Sequence, residues 1–205
     1  MKVSAVISKP NLQLKSSDKS AILSGVAIAV GILVGSVLYV LNKDALAKDL
    51  IDYFISFSLN FANKNKPEII SGLIMQNLVY FIAMLILGTS FIGTPAVYAI
   101  SAIKSAGLGL LATYIYDSFA LKGIEYCLLV LFPGKFILIF AMILLTQNCG
   151  HTSSEVLTSI KHMESRGVDF RKFTARSLLI LIILFLSSVV DFFTLISFSQ
   201  LFDFG

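Results

Sequence analysis

An all-α membrane bundle of five transmembrane helices is the fold that this sequence predicts, and three observations predict it. Residues 69–103 run for 35 positions without a charged side chain, interrupted only by small residues and Gly93-Thr94-Pro95. About 20 apolar residues at ~1.5 Å each cross the hydrocarbon of a bilayer, so this run fits two crossings that meet at the Gly-Pro turn. Second, charged residues make up 14% of the chain against 57% apolar, with a mean hydropathy of +0.88. A soluble domain carries about 25% charged residues, and this chain lacks the charged shell that a water-exposed surface needs. Third, the chain shows no internal repeat, no low-complexity tract and no soluble domain, so it reads as one membrane domain over 21–205 behind a polar tail over 1–20.

The first span is Ala21–Leu41, with no charge over 21 residues. Ala45-Leu46-Ala47 resembles a signal-peptidase site, but the apolar run exceeds the usual 7–15 residues of a signal peptide, so an uncleaved span is expected. The second span is about 69–91 and the third about 96–116. The fourth is about 124–145 and the fifth about 177–197. Lys and Arg set the orientation. The N-terminal tail carries Lys2, Lys9, Lys15 and Lys19 against Asp18, and the loop 149–176 carries Lys161, Arg166, Arg171, Lys172 and Arg176 against three acids. Five crossings put both on one side, which makes the arrangement N-inside, C-outside, in the cell membrane as a multi-pass protein.

Between spans one and two the charges balance, and Leu46, Leu50, Phe54, Phe57 and Phe61 recur every three or four residues. That spacing predicts an external amphipathic helix over about 45–61. Its apolar face lies on lipid, on the bundle or against a partner.

Small residues mark where helices approach closely. Ala27, Gly31 and Gly35 repeat every four residues on span one, and Ser101, Ser105 and Gly109 do so on span three, with Gly107 beside them. Such faces serve packing within the chain first and formation of a homo-oligomer second. At the hairpin turn, Gly93 can take φ > 0 without penalty, and Pro95 starts the next helix with φ already set. Gly88 belongs to the same turn.

No catalytic signature is present: no H-E-x-x-H, no G-x-S-x-G and no phosphate-binding loop. The sequence therefore predicts a non-enzyme with no cofactor. The net charge of +4 is spread over loops without a basic, aromatic-interleaved stripe, which excludes nucleic acid as a partner and leaves membrane lipid. Cys149, His151 and Glu155 lie close in sequence, but they lack the paired spacing of a zinc site and read as a solvated loop, along with His162. Cys127 and Cys149 are separated by ~33 Å along one helix, too far for a disulfide.

Charges inside the spans are the sharpest feature. Lys104, Lys135 and Asp191 fall within the hydrocarbon, where each costs ~3 kcal/mol. Asp117 and Glu125 lie near its outer edge. Lys104, eight residues past Ala96, can snorkel to the inner surface. Lys135 and Asp191 are deep and opposite in sign, which predicts a buried ion pair, with a substrate or proton path as the rival. Pro133-Gly134 weakens the fourth span beside Lys135.

Residues 69–145 resemble the stage II sporulation protein M family. The similarity lies in Gln76-Asn77-Leu78, in Leu87-Gly88-Thr89-Ser90-Phe91-Ile92-Gly93-Thr94-Pro95, in Lys104-Ser105-Ala106-Gly107-Leu108-Gly109, and in Gly123 and Pro133. The sequence departs from the family at Gly134-Lys135, where His or Gln-Asn is the tendency. The resemblance implies five spans with N-inside and C-outside. It also implies a non-enzymatic scaffold in sporulation, an engulfment protein that recruits membrane-anchored peptidoglycan hydrolases. The alternative is a small-solute or ion permease, or a permease subunit, that uses Lys135 and Asp191.

Overall fold

A computed structural model describes residues 16–41, 66–90, 93–162 and 170–198, and all regular structure among them is helical. The helices are α1 (Ser16–Leu41), α2 (Lys66–Gly88), α3 (Gly93–Tyr126), α4 (Phe132–His162) and α5 (Phe170–Phe198), with a π-helical segment, Cys127–Leu131, leading into α4. Five stretches are long and apolar enough to cross a membrane: Ser20–Leu41, Lys66–Gly88, Gly93–Asp117, Ala120–Ile160 and Phe170–Ser197. The external helix over 45–61, with Leu50, Phe54, Phe57 and Phe61, and the tail over 1–15 lie outside the described residues.

Polar side chains are inside and large apolar ones outside, as lipid requires. Leu33, Ile86 and Ile182 stand about two-thirds exposed, at 65%, 66% and 65%. Ser24, Asn77, Ser101, Thr146, Asn148, Ser187, Ser188 and Asp191 are buried. The interior divides along the bundle. Tyr80, Phe81, Met84, Val97, Met142, Leu145, Cys149 and Leu184 fill one half. Ile69, Leu73, Leu111, Ile115, Tyr126, Val130 and Leu195 fill the other.

α1 packs chiefly on α3, and α4 on α5 and α3. The α1–α3 seam is where small residues matter. A methyl group on Gly31 would strike Ser105 and the carbonyl of Ala102; one on Gly35 would strike the carbonyl of Ala106; one on Gly109 would strike the carbonyl of Ile32. Gly31, Gly35 and Gly109 therefore bring the two backbones together within one chain. Ser101 leaves this seam, because a four-residue step advances about 40° round the helix. Gly107 is not on it either; it lines a cavity described below.

Two turns reverse the chain tightly. No described glycine has a positive φ, Gly93 included. Gly93 is the first residue of α3, and what it needs is space: a Cβ there would strike the carbonyl of Leu87 and lie 3.0 Å from Ser153 Oγ. The reversal between the third and fourth spans is likewise tighter than a loop. Ala120 alone breaks the helix, at φ 48° and ψ −123°, the geometry of the first central residue of a type II′ turn. Gly123 lies in the helix beyond it, where a Cβ would meet the carbonyl of Ile115.

The fourth helix is also longer than its apolar span. It continues past Leu145 to His162, so Cys149 and His151 are helical, not part of a loop. Residues 146–162 turn polar, which ends the hydropathy signal. They contain no proline and only Gly150, so nothing ends the helix. Ala120–Ile160 measures ~60 Å at the helical rise, about twice the hydrocarbon thickness.

Candidate functional site

The candidate site is the polar interior of the bundle, built where the π turn leads into α4. Pro133 has no N–H to offer the carbonyl of Leu129, and its ring crowds that carbonyl. The chain answers with the π turn: the N–H of Phe132 reaches back five residues to the carbonyl of Cys127. Next to it, α5 supplies hydroxyls to two backbone carbonyls of this segment. Thr194 Oγ1 donates to the carbonyl of Val130 at 2.8 Å, and Ser187 Oγ donates to the carbonyl of Gly134 at 2.9 Å.

Between these two clamps sits the ion pair. Lys135 Nζ donates to Asp191 Oδ2 at 2.8 Å, with the Asp191 side chain 4% exposed and that of Lys135 21%. Ser187, Asp191 and Thr194 are spaced four and three apart, so they share one face of α5. Gly134 makes the approach feasible, because a Cβ there would strike the Asp191 carboxylate. The sequence predicted Lys135 with Asp191, and the structure brings them together.

Lys104 does not snorkel. Its ammonium lies over the Tyr80 ring, 5.8 Å from the centroid. It lines a cavity of about 240 Å³ with Gln76, Tyr80, Gly107, Lys135 and Leu138. Two ammonium groups and one carboxylate thus sit in one region of the bundle.

Hydrogen bonds that the sequence did not reveal extend the network. Asn77 Nδ2 donates to Ser188 Oγ at 2.9 Å, which ties α2 to α5. Ser101 Oγ is 2.6 Å from Thr146 Oγ1 and 3.2 Å from the Tyr80 hydroxyl, which joins α3, α4 and α2. Asn148 Nδ2 donates to Ser177 Oγ at 2.9 Å. The available signal was polar residues in apolar spans, above all Ser187-Ser188. Among the described residues no buried side-chain nitrogen or oxygen lacks a partner.

The hairpin turn is held from α4. Ser153 Oγ donates to the carbonyl of Ser90 at 2.8 Å and accepts from Thr94 Oγ1 at 3.1 Å. One turn earlier, Gly88 accepts the close approach of Cys149. Pro95 is exposed in the first turn of α3, where its missing N–H costs nothing. At the opposite end, Tyr39 donates to Asp117 Oδ2 at 2.9 Å.

Cys149, His151 and Glu155 do not converge. Residues two apart on a helix point about 200° apart, so Cys149 is buried while His151 is exposed, its Nδ1 3.4 Å from Glu155 Oε1. No group of three metal-ligating side chains occurs among the described residues. Both cysteines are free.

Several of the described residues that carried the family resemblance have packing roles here. Asn77, Gly88, Gly93, Gly109 and Gly123 make the bonds and close approaches given above, Lys104 lines the cavity, and Pro133 sets the π turn. No curated protein and no solved structure matches the chain. The family model described as stage II sporulation protein M matches residues 20–194, which takes in the first and fifth spans beyond the 69–145 that carried the resemblance. A match over about five-sixths of the sequence places the chain in the stage II sporulation protein M family.

Proposed function

We propose that this protein is a non-enzymatic scaffold that holds peptidoglycan hydrolases at the cell membrane. Membership of the sporulation family over 20–194 is the observation that carries this reading. The bundle's chemistry is compatible with it. Its buried polar groups are bonded to one another, and its outer surface is apolar and suited to lipid and to the membrane segments of partners. The reading takes the arrangement as N-inside and C-outside and uses the 45–61 segment, with Leu50, Phe54, Phe57 and Phe61, as the external contact. Deleting the protein should mislocalise at least one extracytoplasmic hydrolase while that hydrolase stays active in vitro. Phe54→Asp should reproduce part of the defect. Normal hydrolase placement in the deletion strain would remove the proposal.

A second reading, a small-solute or ion permease, draws on one observation. Lys104 and Lys135 share a cavity within the bundle, beside the π turn that precedes Pro133. Transporters build sites from broken helices and buried charges. Solute movement by the purified protein in liposomes, lost in Lys135→Met, would favour it over the scaffold.

A further inference from the structure

At the end of the bundle that carries the hairpin turn, α4 makes the floor of an open groove. Ser20 of α1 stands on one side and Arg176, Leu179, Ile180 and Ile183 of α5 on the other; Leu144, Gln147, Asn148 and His151 line the floor. The groove holds about 440 Å³. It exists because α1 and α5 both pack on α4 but have little contact with each other.

Its lining changes character along its length. Arg176, His151 and Gln147 sit toward the end of the bundle where the apolar spans give way to polar sequence. Leu179 and Ile183 lie one and two turns deeper along α5, and Leu144 two turns deeper along α4. Cation and amide donors above, hydrocarbon below, in a groove open to the bilayer: we infer that this groove is a binding site for one anionic phospholipid. The phosphate meets Arg176 and His151, and an acyl chain lies along Leu144, Leu179 and Ile183.

Charge decides between occupants. Glu155 Oε1 lies 3.4 Å from His151 Nδ1, and among the described residues Arg176 has no carboxylate within ion-pair distance. A phosphodiester supplies the missing negative charge, and a zwitterionic headgroup places its own cation against the same arginine. Basic grooves between spans at a positively charged membrane face recognise anionic headgroups by this mechanism. The N-terminal segment is a poor occupant, because Lys2, Lys9 and Lys15 carry the same sign as Arg176. A second copy of the chain would bring the same basic rim.

The test uses the full chain in detergent with phosphatidylglycerol or phosphatidylcholine added. Retained lipid is counted by native mass spectrometry. Unfolding is followed by the reaction of a thiol dye with Cys149, which is buried until the bundle opens. Phosphatidylglycerol should be retained as a single adduct and raise the unfolding midpoint by several degrees; phosphatidylcholine should do neither. Arg176→Gln should weaken phosphatidylglycerol binding roughly tenfold, the worth of one charge-assisted hydrogen bond. Ile183→Trp, which fills the apolar part, should also lose the adduct. Arg171→Gln removes a charge from the same helix outside the groove and should keep it. Equal retention of the two lipids, full retention in Arg176→Gln, or a dimer in place of the lipid adduct would each overturn the assignment.

Discussion

Asp191 meets the Lys135 ammonium on one side and the unsubstituted Cα of Gly134 on another, so its position depends on two adjacent residues of α4. Removing one partner of a buried pair leaves a charge with no solvent, which costs ~3–5 kcal/mol. Asp191→Asn should therefore lower the stability of the bundle toward the low end of that range, since Lys135 is partly exposed, as read from reversible unfolding in mixed micelles. Lys135→Met combined with Asp191→Leu should recover much of the loss. A double variant as unstable as the two single losses added together would mean that the two residues do not act as a pair. The pair was legible in the sequence because two opposite charges deep in apolar spans have few places to go. The role of Gly134 was not, since only the approach of another helix reveals why a side chain is excluded. Gly93 is constrained by space rather than by its backbone angles. A glycine before proline at a reversal suggests φ > 0, yet its backbone is ordinary and the constraint is the nearby Leu87 carbonyl. Ala120 is the converse: a positive φ on a residue with no sequence mark of one.

At the level of helices, hydropathy located all five crossings but not where the helices stop. Span ends follow the loss of apolar residues, whereas helix ends follow proline, glycine and caps. The fourth helix separates the two signals, running on through His162 while its hydropathy falls after Leu145. That extension carries Cys149 and Ser153 to the hairpin turn, so an apparently loop-like segment fixes the geometry of α2 and α3. The α1–α3 seam was legible from the four-residue spacing of Gly31 and Gly35. Its partner was not, because spacing alone does not distinguish a contact within the chain from one between copies. The structure fills the seam with Ala102, Ser105, Ala106 and Gly109 of the same chain. Gly35→Val should therefore destabilise the monomer itself, by ~1–3 kcal/mol as overpacked interiors do, with unfolding and oligomer size measured together. A variant with unchanged stability but a lost dimer would assign Gly31 and Gly35 to an interface between copies.

Among the described residues, four of the five membrane-length helices lie between the tail and the α4–α5 connection, so both basic segments are expected on one side. The Lys and Arg excess then predicts which. Reporters fused at residue 10 and at His162 should read cytoplasmic, and those at Lys64 and the C-terminus external. A cytoplasmic reading at Lys64 would put the 45–61 segment on the wrong side to meet a cell-wall hydrolase.

The most direct measurement of the scaffold claim is to purify the tagged protein from native membranes under mild detergent and assay the eluate on isolated peptidoglycan. The account predicts that the eluate degrades peptidoglycan, that the protein stripped of its companions does not, and that Phe54→Asp lowers the activity recovered without lowering the amount of scaffold. An inactive eluate from cells that contain the hydrolases, together with solute flux in liposomes that depends on Lys135, would contradict the scaffold and leave the permease reading in its place.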